Sequence, residues 1–336
     1  MKRLIIICFV LVILMFSCKE GSNPADSSND NHQHPPAQIS DDIPYDKLGN
    51  VGRIAFSRTG PKGNNYSSIC ILDLVNKKNW TADGAYVAPQ APCISPDGTK
   101  LTYRGVTKGN WTIIASNVDG SDFHSFQDGS NTSYPSWGGS SDEIIFYKFL
   151  FGGNSMYQSA NYNLNSAALV CNLSGLNGIT SSGSTLSYFI FPQGKSIYKV
   201  MYPTYHFILS IPLETTWGIV CTPRYSPDSK FIAFAQMKTM NVNNYIYGAG
   251  GRIIISDVAN QSMSTIYDWD ATKVMSYAGN NDLSVCWSPD GQKLDFIKTL
   301  GDLSASVFVI NVDGTGLTQV TTDQTVNDSD VSWSSN

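Results

Sequence analysis

The pattern of apolar and polar positions predicts short strands joined by tight turns over most of the chain. Residues 112–115 and 307–310 are apolar runs of four, and each leads into an Asn-Val-Asp-Gly tetrapeptide, at 117–120 and 311–314. Short runs with β-branched or aromatic residues, bounded by Asn, Asp and Gly, are typical of strands rather than helices. The pattern therefore predicts an all-β fold.

A ten-residue frame recurs along the chain. Its clear copies begin at Ile94, Tyr225 and Trp287; each continues with Ser-Pro-Asp and then Gly or Ser, and ends in Tyr or Phe. Weaker or partial copies bring the frame starts to residues 47, 94, 137, 179, 225, 287 and 333. The intervals between them are 47, 43, 42, 46, 62 and 46 residues, and the long one places an insertion at 237–251.

The chemistry of the frame predicts a hairpin. Pro96 presets φ for a turn, Asp97 can bond its own backbone, and Gly98 adopts a left-handed conformation at little cost. With the Asn/Asp marks as second turns, each interval yields four strands, which is the pattern of a propeller blade. We therefore predict a six-bladed β-propeller over 46–336, in which the C-terminal strand completes the first blade and leaves no free edge.

The first 45 residues predict an export signal and a tether. Residues 4–16 form an uninterrupted apolar run, too short for a spanning helix but suited to a secretory signal over 1–17. The following Ser17-Cys18 resembles the lipobox of bacterial lipoproteins, which implies lipidation of Cys18; an ordinary signal peptide is the alternative. Residues 18–45 are polar and are expected to be a disordered tether. By resemblance to enterobacterial sorting, Lys19 does not mark inner-membrane retention, so we expect an outer-membrane lipoprotein of the cell envelope, periplasmic or surface-exposed.

Composition and charge exclude several classes of protein. Charged residues make up only 15% of the chain, and 22 Lys and Arg stand against 27 Asp and Glu, a net charge of −5. These values argue against a coiled coil, a helical bundle and a nucleic-acid-binding surface. The five cysteines after Cys18 are widely spaced and without a CxxC pair, so we expect buried single thiols rather than a zinc site.

The frame also carries a family resemblance. The Ser-Pro-Asp-Gly-x-x-Leu-x-Tyr/Phe pattern, with 311–318 after it, resembles the WD40-like repeats of TolB-type six-bladed propellers. The resemblance covers about residues 47–336. TolB has an additional α/β domain for which we find no room, so its Tol–Pal role is not transferred. The propellers that precede prolyl oligopeptidase-type peptidases use similar repeats, but we find no hydrolase domain.

Motifs for catalysis are missing from the sequence. It contains no Gly-x-Ser-x-Gly elbow, phosphate-binding loop, dinucleotide fingerprint or HExxH. His124 and His206 are interpreted as isolated histidines. The turn residues Asp97, Asp228 and Asp290 belong to different blades and are not expected to form a calcium site. We therefore predict no catalytic residue, no metal and no cofactor.

Candidate binding residues come from aromatic segments assigned to the long-loop face, where B–C and D–A connections lie. Exposed aromatic side chains on loops of a rigid scaffold are typical of recognition surfaces. Packing of these residues on one another is the alternative. Arg224 shares its frame position with Cys93 and Cys286 and is expected to line the central channel, unless it is a satisfied buried arginine. The candidates are Tyr245, Tyr247, Phe149, Phe151, Tyr202, Tyr205 and Arg224.

These observations favour a non-enzymatic, lipid-anchored envelope propeller that binds a protein, peptide or glycan. The alternatives are a hydrolase or lyase acting in the central pocket, and a docking ring of an outer-membrane assembly. Fold alone separates none of them.

Overall fold

The structure is a computed structural model, and it describes most of the chain after residue 38, with gaps between the described ranges. The described residues are 39, 41–60, 67–82, 87–107, 109–126, 131–138, 140–149, 155–171, 180–181, 188–193, 196–201, 206–212, 220–242, 245–270, 283–301 and 304–335.

The described residues contain one short helix, α1 (Tyr45–Leu48), and otherwise β-strands. The prediction of an all-β fold is confirmed. In chain order the strands are β1 Arg53–Thr59, β2 Ser67–Asp73, β3 Lys78–Thr81, β4 Val87–Ile94, β5 Lys100–Thr107, β6 Asn110–Asn117, β7 His124–Ser125, β8 Thr132–Trp137, β9 Glu143–Phe149, β10 Ser155–Asn161, β11 Ala167–Cys171 and β12 Thr180–Ser181. They continue with β13 Tyr188–Gln193, β14 Ser196–Met201, β15 His206–Pro212, β16 Val220–Tyr225, β17 Phe231–Val242, β18 Tyr245–Asp257, β19 Met263–Asp270, β20 Val285–Trp287, β21 Lys293–Gly301, β22 Ser304–Asn311, β23 Thr318–Gln319 and β24 Asn327–Ser334.

The described strands form four-stranded sheets in which neighbours are antiparallel. Five sheets follow chain order: β4 to β7, β8 to β11, β12 to β15, β16 to β19 and β20 to β23. The remaining sheet has the order β24-β1-β2-β3, so the last strand pairs with the first. We call β24, β4, β8, β12, β16 and β20 the first strands. They contact one another in that order, and β20 contacts β24 again.

The three clear frame copies fold as one type of turn. In each, the Ser hydroxyl lies within hydrogen-bonding distance of the Asp carboxylate, at 2.6 Å in Ser95–Asp97 and Ser288–Asp290. The same Ser oxygen accepts the backbone N–H five residues later, at 2.9 Å from Lys100 and from Lys293. Burial would raise the pKa of Asp97, but hydrogen bonds from Ser95, Thr99 and Ser141 outweigh it and lower that pKa to about 2. The turn aspartates thus bond within their own turns.

The third copy departs from the other two at one residue. Ser229 has a φ of 60°, where Gly98 and Gly291 have 74° and 68°. A left-handed conformation costs an L-residue about 1–2 kcal/mol, which glycine's larger unfolded-state entropy partly offsets. We expect Ser229→Gly to raise the free energy of unfolding by about 0.5–1 kcal/mol in urea titrations.

A matched reverse variant serves as control for this prediction. A Cβ at Gly291 would meet only Pro227 Cδ at 3.8 Å, so Gly291→Ser adds backbone strain without a clash. It should lower stability by a similar amount. Equal stability of Ser229→Gly and the unmodified protein would contradict the strain argument.

The segment before β1 packs against the sheets. Ile43 and Leu48 are buried in the same apolar cluster as Phe56 of β1 and Val307 of β22. The Asp41 side chain is buried and pairs with Arg58 at 2.6 Å. The polar composition predicts a disordered tether up to residue 45, whereas the packed segment begins by residue 41. A polar composition does not reveal a buried arginine that is distant in sequence.

The fourth frame copy folds differently from the sequence prediction. A frame starting at Ile179 would pair that residue with Leu186, as Ile94 pairs with Leu101 in β4 and β5. Instead Thr180 pairs with Ile190 and Ser181 with Phe189. The connection is therefore longer than the frame allows. This copy has lost the Pro-Asp that fixes the short turn.

Residues 202–205 fall between two strands of the same sheet. Met201 ends β14 and pairs with His206, which begins β15. Tyr202 and Tyr205 lie outside the described residues, so their assignment to the long-loop face stays a prediction.

The insertion at 237–251 is also not a loop. Its residues continue β17 and β18 as a hairpin that pairs from Phe231–Asp257 to Val242–Tyr245. Among the described strands, β16 pairs with β17 only to Gln236, and β19 pairs with β18 only from Gly250. Residues 239–248 therefore form a two-stranded ribbon beyond the four-stranded sheet, which we call the ribbon.

Candidate functional site

Four first strands share a β-bulge just before the frame. In β16, Cys221 pairs with Ala235 and Arg224 with Ala233, so two residues of β16 oppose one of β17. The first bulge residue is left-handed in each case, although it is not glycine. These residues are Ala91 (φ 53°), Tyr134 (52°), Thr222 (38°) and Asp330 (52°). Bulges with strained backbone are common beside functional sites.

The second bulge residue is proline in three of these strands. Pro92, Pro135 and Pro223 each precede the frame start by two residues. Proline lacks an N–H, so it fits the unpaired position of a bulge. Sequence reasoning missed this feature, and the recurrent Pro two residues upstream of the frame is the signal that could have found it.

Hydrogen bonds of the frame-start tryptophans tie each sheet to the one before it. The Trp137 indole donates to the Cys93 carbonyl at 2.8 Å, and the Trp287 indole donates to the Arg224 carbonyl at 3.0 Å. Both tryptophans are also buried in apolar clusters between sheets. Both rings therefore belong to the apolar core between neighbouring sheets, and the hydrogen bonds fix the rings in place.

The C-terminal strand makes similar contacts on both sides. Ser332 Oγ accepts from the Ile94 N–H at 3.1 Å, and Ser334 Oγ donates to the Ser95 carbonyl. On the other side, Cys286 Sγ accepts from the Trp333 N–H at 3.4 Å. Strand β24 therefore bonds to β4 and β20 as well as to β1.

Five first strands, β4, β8, β16, β20 and β24, line a cavity of about 330 Å³ at their frame-turn end. This volume lies within the range of small-molecule sites. The prolines of the three clear frame turns lie at its mouth, and we call it the central cavity. Its lining combines aromatic rings, hydroxyls, two thiols and one charged side chain: Cys93, Ile94, Pro96, Ser136, Trp137, Gly138, Arg224, Tyr225, Pro227, Cys286, Trp287, Pro289, Ser332, Trp333, Ser334 and Ser335.

Electrostatics around Arg224 are unusual. Asp295 pairs with Cys286 across β20 and β21, and its carboxyl group is fully buried. Burial raises the pKa of Asp295 well above its usual value, and the Cys286 N–H and the charge of Arg224 offset this only in part. Burial also raises the pKa of Cys286 to about 12, with a contribution from Asp295. The Cys286 thiol is therefore neutral at physiological pH, and burial favours the protonated form of Asp295.

Asp295 should make stability depend on pH. Because its folded pKa is raised, folding favours the protonated form, and stability falls as pH rises above the ordinary value of 3.8. We expect Asp295→Asn to match the unmodified protein at pH 4 and to exceed it by about 1–3 kcal/mol at pH 8. Urea titrations at both pH values measure this difference. A constant difference would show that the carboxyl does not titrate as described.

The structure brings one predicted binding residue, Arg224, to the central cavity, and its role in binding stays a prediction. Phe149 ends β9 opposite Ser155, at the second-to-third-strand end of its sheet. Tyr245 and Tyr247 lie in the ribbon, where they pair with Val242 and Met240. Cys18, Phe151, Tyr202 and Tyr205 lie outside the described residues.

The described residues hold no cluster suited to a metal ion. Among them, no three His, Cys, Asp or Glu side chains lie together in such an arrangement. Four of the described cysteines are thiols that form no disulfide: Cys70, Cys93, Cys221 and Cys286.

Comparisons with known proteins identify the fold. TolB from Acinetobacter baumannii is similar with a TM-score of 0.66 and 16% identity, over 85% of this chain and 67% of that one. The chain has a TolB-like β-propeller fold. Hydrazine synthase from Kuenenia stuttgartiensis is similar with a TM-score of 0.62 and 13% identity, over 87% of this chain and 48% of that one. Oligogalacturonate lyase in complex with manganese gives a TM-score of 0.51 and 9% identity, over 83% and 75%.

No protein-family model and no curated protein sequence matches the chain. At identities this low, the structural similarities establish the fold alone. In the part of the chain that the structure describes, no helix has the length and apolar character to cross a bilayer.

Proposed function

We propose that this protein is a lipid-anchored propeller of the bacterial cell envelope that serves as a non-enzymatic binding or scaffold module. In this proposal residues 1–17 are a signal peptide, Cys18 carries lipid at the outer membrane, and a polar tether leads to the folded domain. The six sheets are the blades of one ring, which β24 closes by completing the first blade. The pairing of β24 with β1 and its bonds to β4 and β20 support that closure.

The ribbon is the observation that carries the binding role. Directly paired residues share one face of a two-stranded ribbon, and residues two apart along a strand return to that face. In the ribbon, Met240 pairs with Tyr247 and Val242 with Tyr245, so two residues of the predicted binding set belong to one hairpin. Tyrosine offers large contact area with few rotatable bonds, which suits an interface with a protein, peptide or glycan.

The experiment compares three variants in native membranes. Replacing 239–248 by a Gly-Ser turn should abolish capture of the partner and leave the melting temperature unchanged, because among the described strands no outer strand pairs with the ribbon. Cys18→Ser should release the protein from the membrane fraction or block its processing. Disrupting the Asp97-Gly98 turn should instead reduce stability and spare binding.

Two results would overturn the proposal. If a protein without the ribbon still captured the partner, the ribbon would not be the binding surface. A Cys18→Ser protein that is processed and sediments with the membranes as before would rule out anchoring through Cys18. Firm anchoring by lipid requires more than one chain on that cysteine.

A hydrolase or lyase acting in the central cavity is the alternative function. Arg224 beside the buried Asp295 favours it, because strongly perturbed carboxyls near clefts are candidates for acid–base chemistry. A similar fold also occurs in oligogalacturonate lyase. Turnover of an oligosaccharide that is lost in Asp295→Asn would support this alternative over the scaffold role.

A further inference from the structure

One position of the first strands holds a different kind of side chain in β16. In β4, β8, β20 and β24, the residue directly before the frame is a small side chain able to accept a hydrogen bond: Cys93, Ser136, Cys286 and Ser332. In β16 the same position holds Arg224, whose guanidinium has donors only. A position at which one repeat departs from four others is a place where function is expected.

Two of the four small side chains accept the backbone N–H that starts the next frame. Ser332 does so for Ile94 at 3.1 Å, and Cys286 for Trp333 at 3.4 Å. Equivalent positions in the repeat predict that Arg224 lies near the backbone N–H of Trp287, whose indole reaches the Arg224 carbonyl. A guanidinium cannot accept that N–H, so both residues would offer hydrogen-bond donors at this spot of the cavity wall.

Few groups around this spot can carry a negative charge. Burial keeps the Cys286 thiol protonated and favours the protonated form of Asp295. Among the described lining residues there is no carboxylate and no second cation. The turn aspartates lie outside the lining, and Asp228, for example, lies 3.4 Å from Lys230. A ligand with one negative charge therefore suits the spot better than one with two.

We propose that the central cavity binds a carboxylate-bearing small molecule, with its carboxylate held by the Arg224 guanidinium and the Trp287 backbone N–H. A planar carboxylate matches the guanidinium fork. Since a guanidinium has five N–H donors, Arg224 can keep protein contacts and still bind a ligand. The rings of Trp137, Trp287 and Trp333 would pack against the rest of the molecule.

This inference goes beyond the proposed function, because it uses the frame-turn end of the first strands rather than the ribbon. The two can fail separately. Loss of the ribbon should leave carboxylate binding intact, and loss of Arg224 should leave capture of the partner at the ribbon intact.

The test uses the full-length protein labelled with ¹⁵N-tryptophan, which gives at most seven backbone and seven indole signals. Acetate is the first probe, since it is the smallest stable carboxylate with a methyl group, and benzoate is the second. Both should shift the Trp287 backbone signal saturably, and benzoate should bind more tightly than acetate because its ring can pack in the cavity. Benzamide and inorganic phosphate serve as the neutral and dianionic comparisons.

Two variants make the test specific. Arg224→Gln should weaken benzoate binding by about tenfold or more, the loss expected for a charge-assisted pair. Lys230→Gln removes an exposed positive charge near the same mouth and should leave binding unchanged. Thermal melting of both variants checks that they fold.

Each alternative outcome counts against the proposal. Non-saturable shifts, equal shifts with benzamide, or unchanged benzoate affinity in folded Arg224→Gln would overturn carboxylate binding at Arg224. Tighter binding of phosphate than of either carboxylate would overturn the ligand class. If Arg224→Gln does not fold, Arg224→Lys is measured in its place. Full benzoate affinity in Arg224→Lys would overturn the proposed two-point contact between guanidinium and carboxylate.

Discussion

Replacing Arg58 with methionine should lower the free energy of unfolding by about 3–5 kcal/mol, because it leaves two buried carboxylates without their cation. Arg58 Nε lies 2.7 Å from Asp328 Oδ1, and Nη2 lies 3.0 Å from the other oxygen. Nη1 binds Asp41 at 2.6 Å. All three side chains are almost fully buried.

The two carboxylates respond to this site differently. Burial raises the pKa of Asp328 despite its bonds to Arg58. Burial would also raise the pKa of Asp41, but Arg58 and the N–H groups of Thr322 and Asp323 outweigh it and lower that pKa. Asp41 therefore stabilises the fold above its unfolded value of 3.8, and this contribution is lost as pH falls through the lowered folded pKa.

Two further variants separate charge from packing at this site. Arg58→Lys should recover only part of the loss, because an ammonium cannot form the fork. Arg58→Met combined with Asp41→Asn and Asp328→Asn should recover most of it, since no buried charge then remains. Urea titrations at pH 7 measure all three. A single Arg58→Met variant as stable as the unmodified protein would contradict the buried network.

Replacing Trp333 with alanine should cost about 3–5 kcal/mol, the range for removing a large aromatic side chain from a core. Trp333 is 6% exposed and packs with Ile54 and Phe56. Its indole also donates to the Val51 carbonyl at 2.9 Å. Trp80→Ala, in the outer strand β3, is the control and should cost less because that residue is only partly buried.

Deleting residues 330–336 should have a larger effect than the single substitution. It removes Val331 and Trp333 from the core and the pairing partners of β1 from Arg53 to Ala55. A loss near the total stability of a typical domain, about 5–15 kcal/mol, would leave the chain unfolded or aggregated. A truncated protein that melts as the full chain does would show that β24 is dispensable.

The frame explains why much of the fold could be predicted from sequence. Ser, Pro, Asp and Gly act locally, so the turns at Ser95 and Ser288 follow from chemistry within five residues. At Ile179 the Pro-Asp is missing, and the predicted register failed there. The sequence predicts a loop where the structure has the ribbon, because Asn- and Gly-rich strands lack the apolar alternation that marks a strand.

The central cavity was only partly predictable. The position of Arg224 within the repeated frame predicts that it lines the channel, because repeats place equivalent residues in equivalent positions. Asp295 and Arg58 were missed because their meaning depends on residues brought near by the fold. Asp328 lies 270 positions from Arg58. No local pattern signals such a pair.

Ring closure by β24 is the central claim, and a cross-link between Thr59→Cys and Asn327→Cys tests it most directly. Register pairs Thr59 with Asn327, although 268 positions separate them, so two cysteines there should lie within disulfide reach. Mild oxidation and peptide mass spectrometry should reveal a 59–327 disulfide within one chain. The control pair Thr59→Cys and Asn110→Cys, on different sheets, should not link. A 59–327 yield no higher than that of the control would contradict closure.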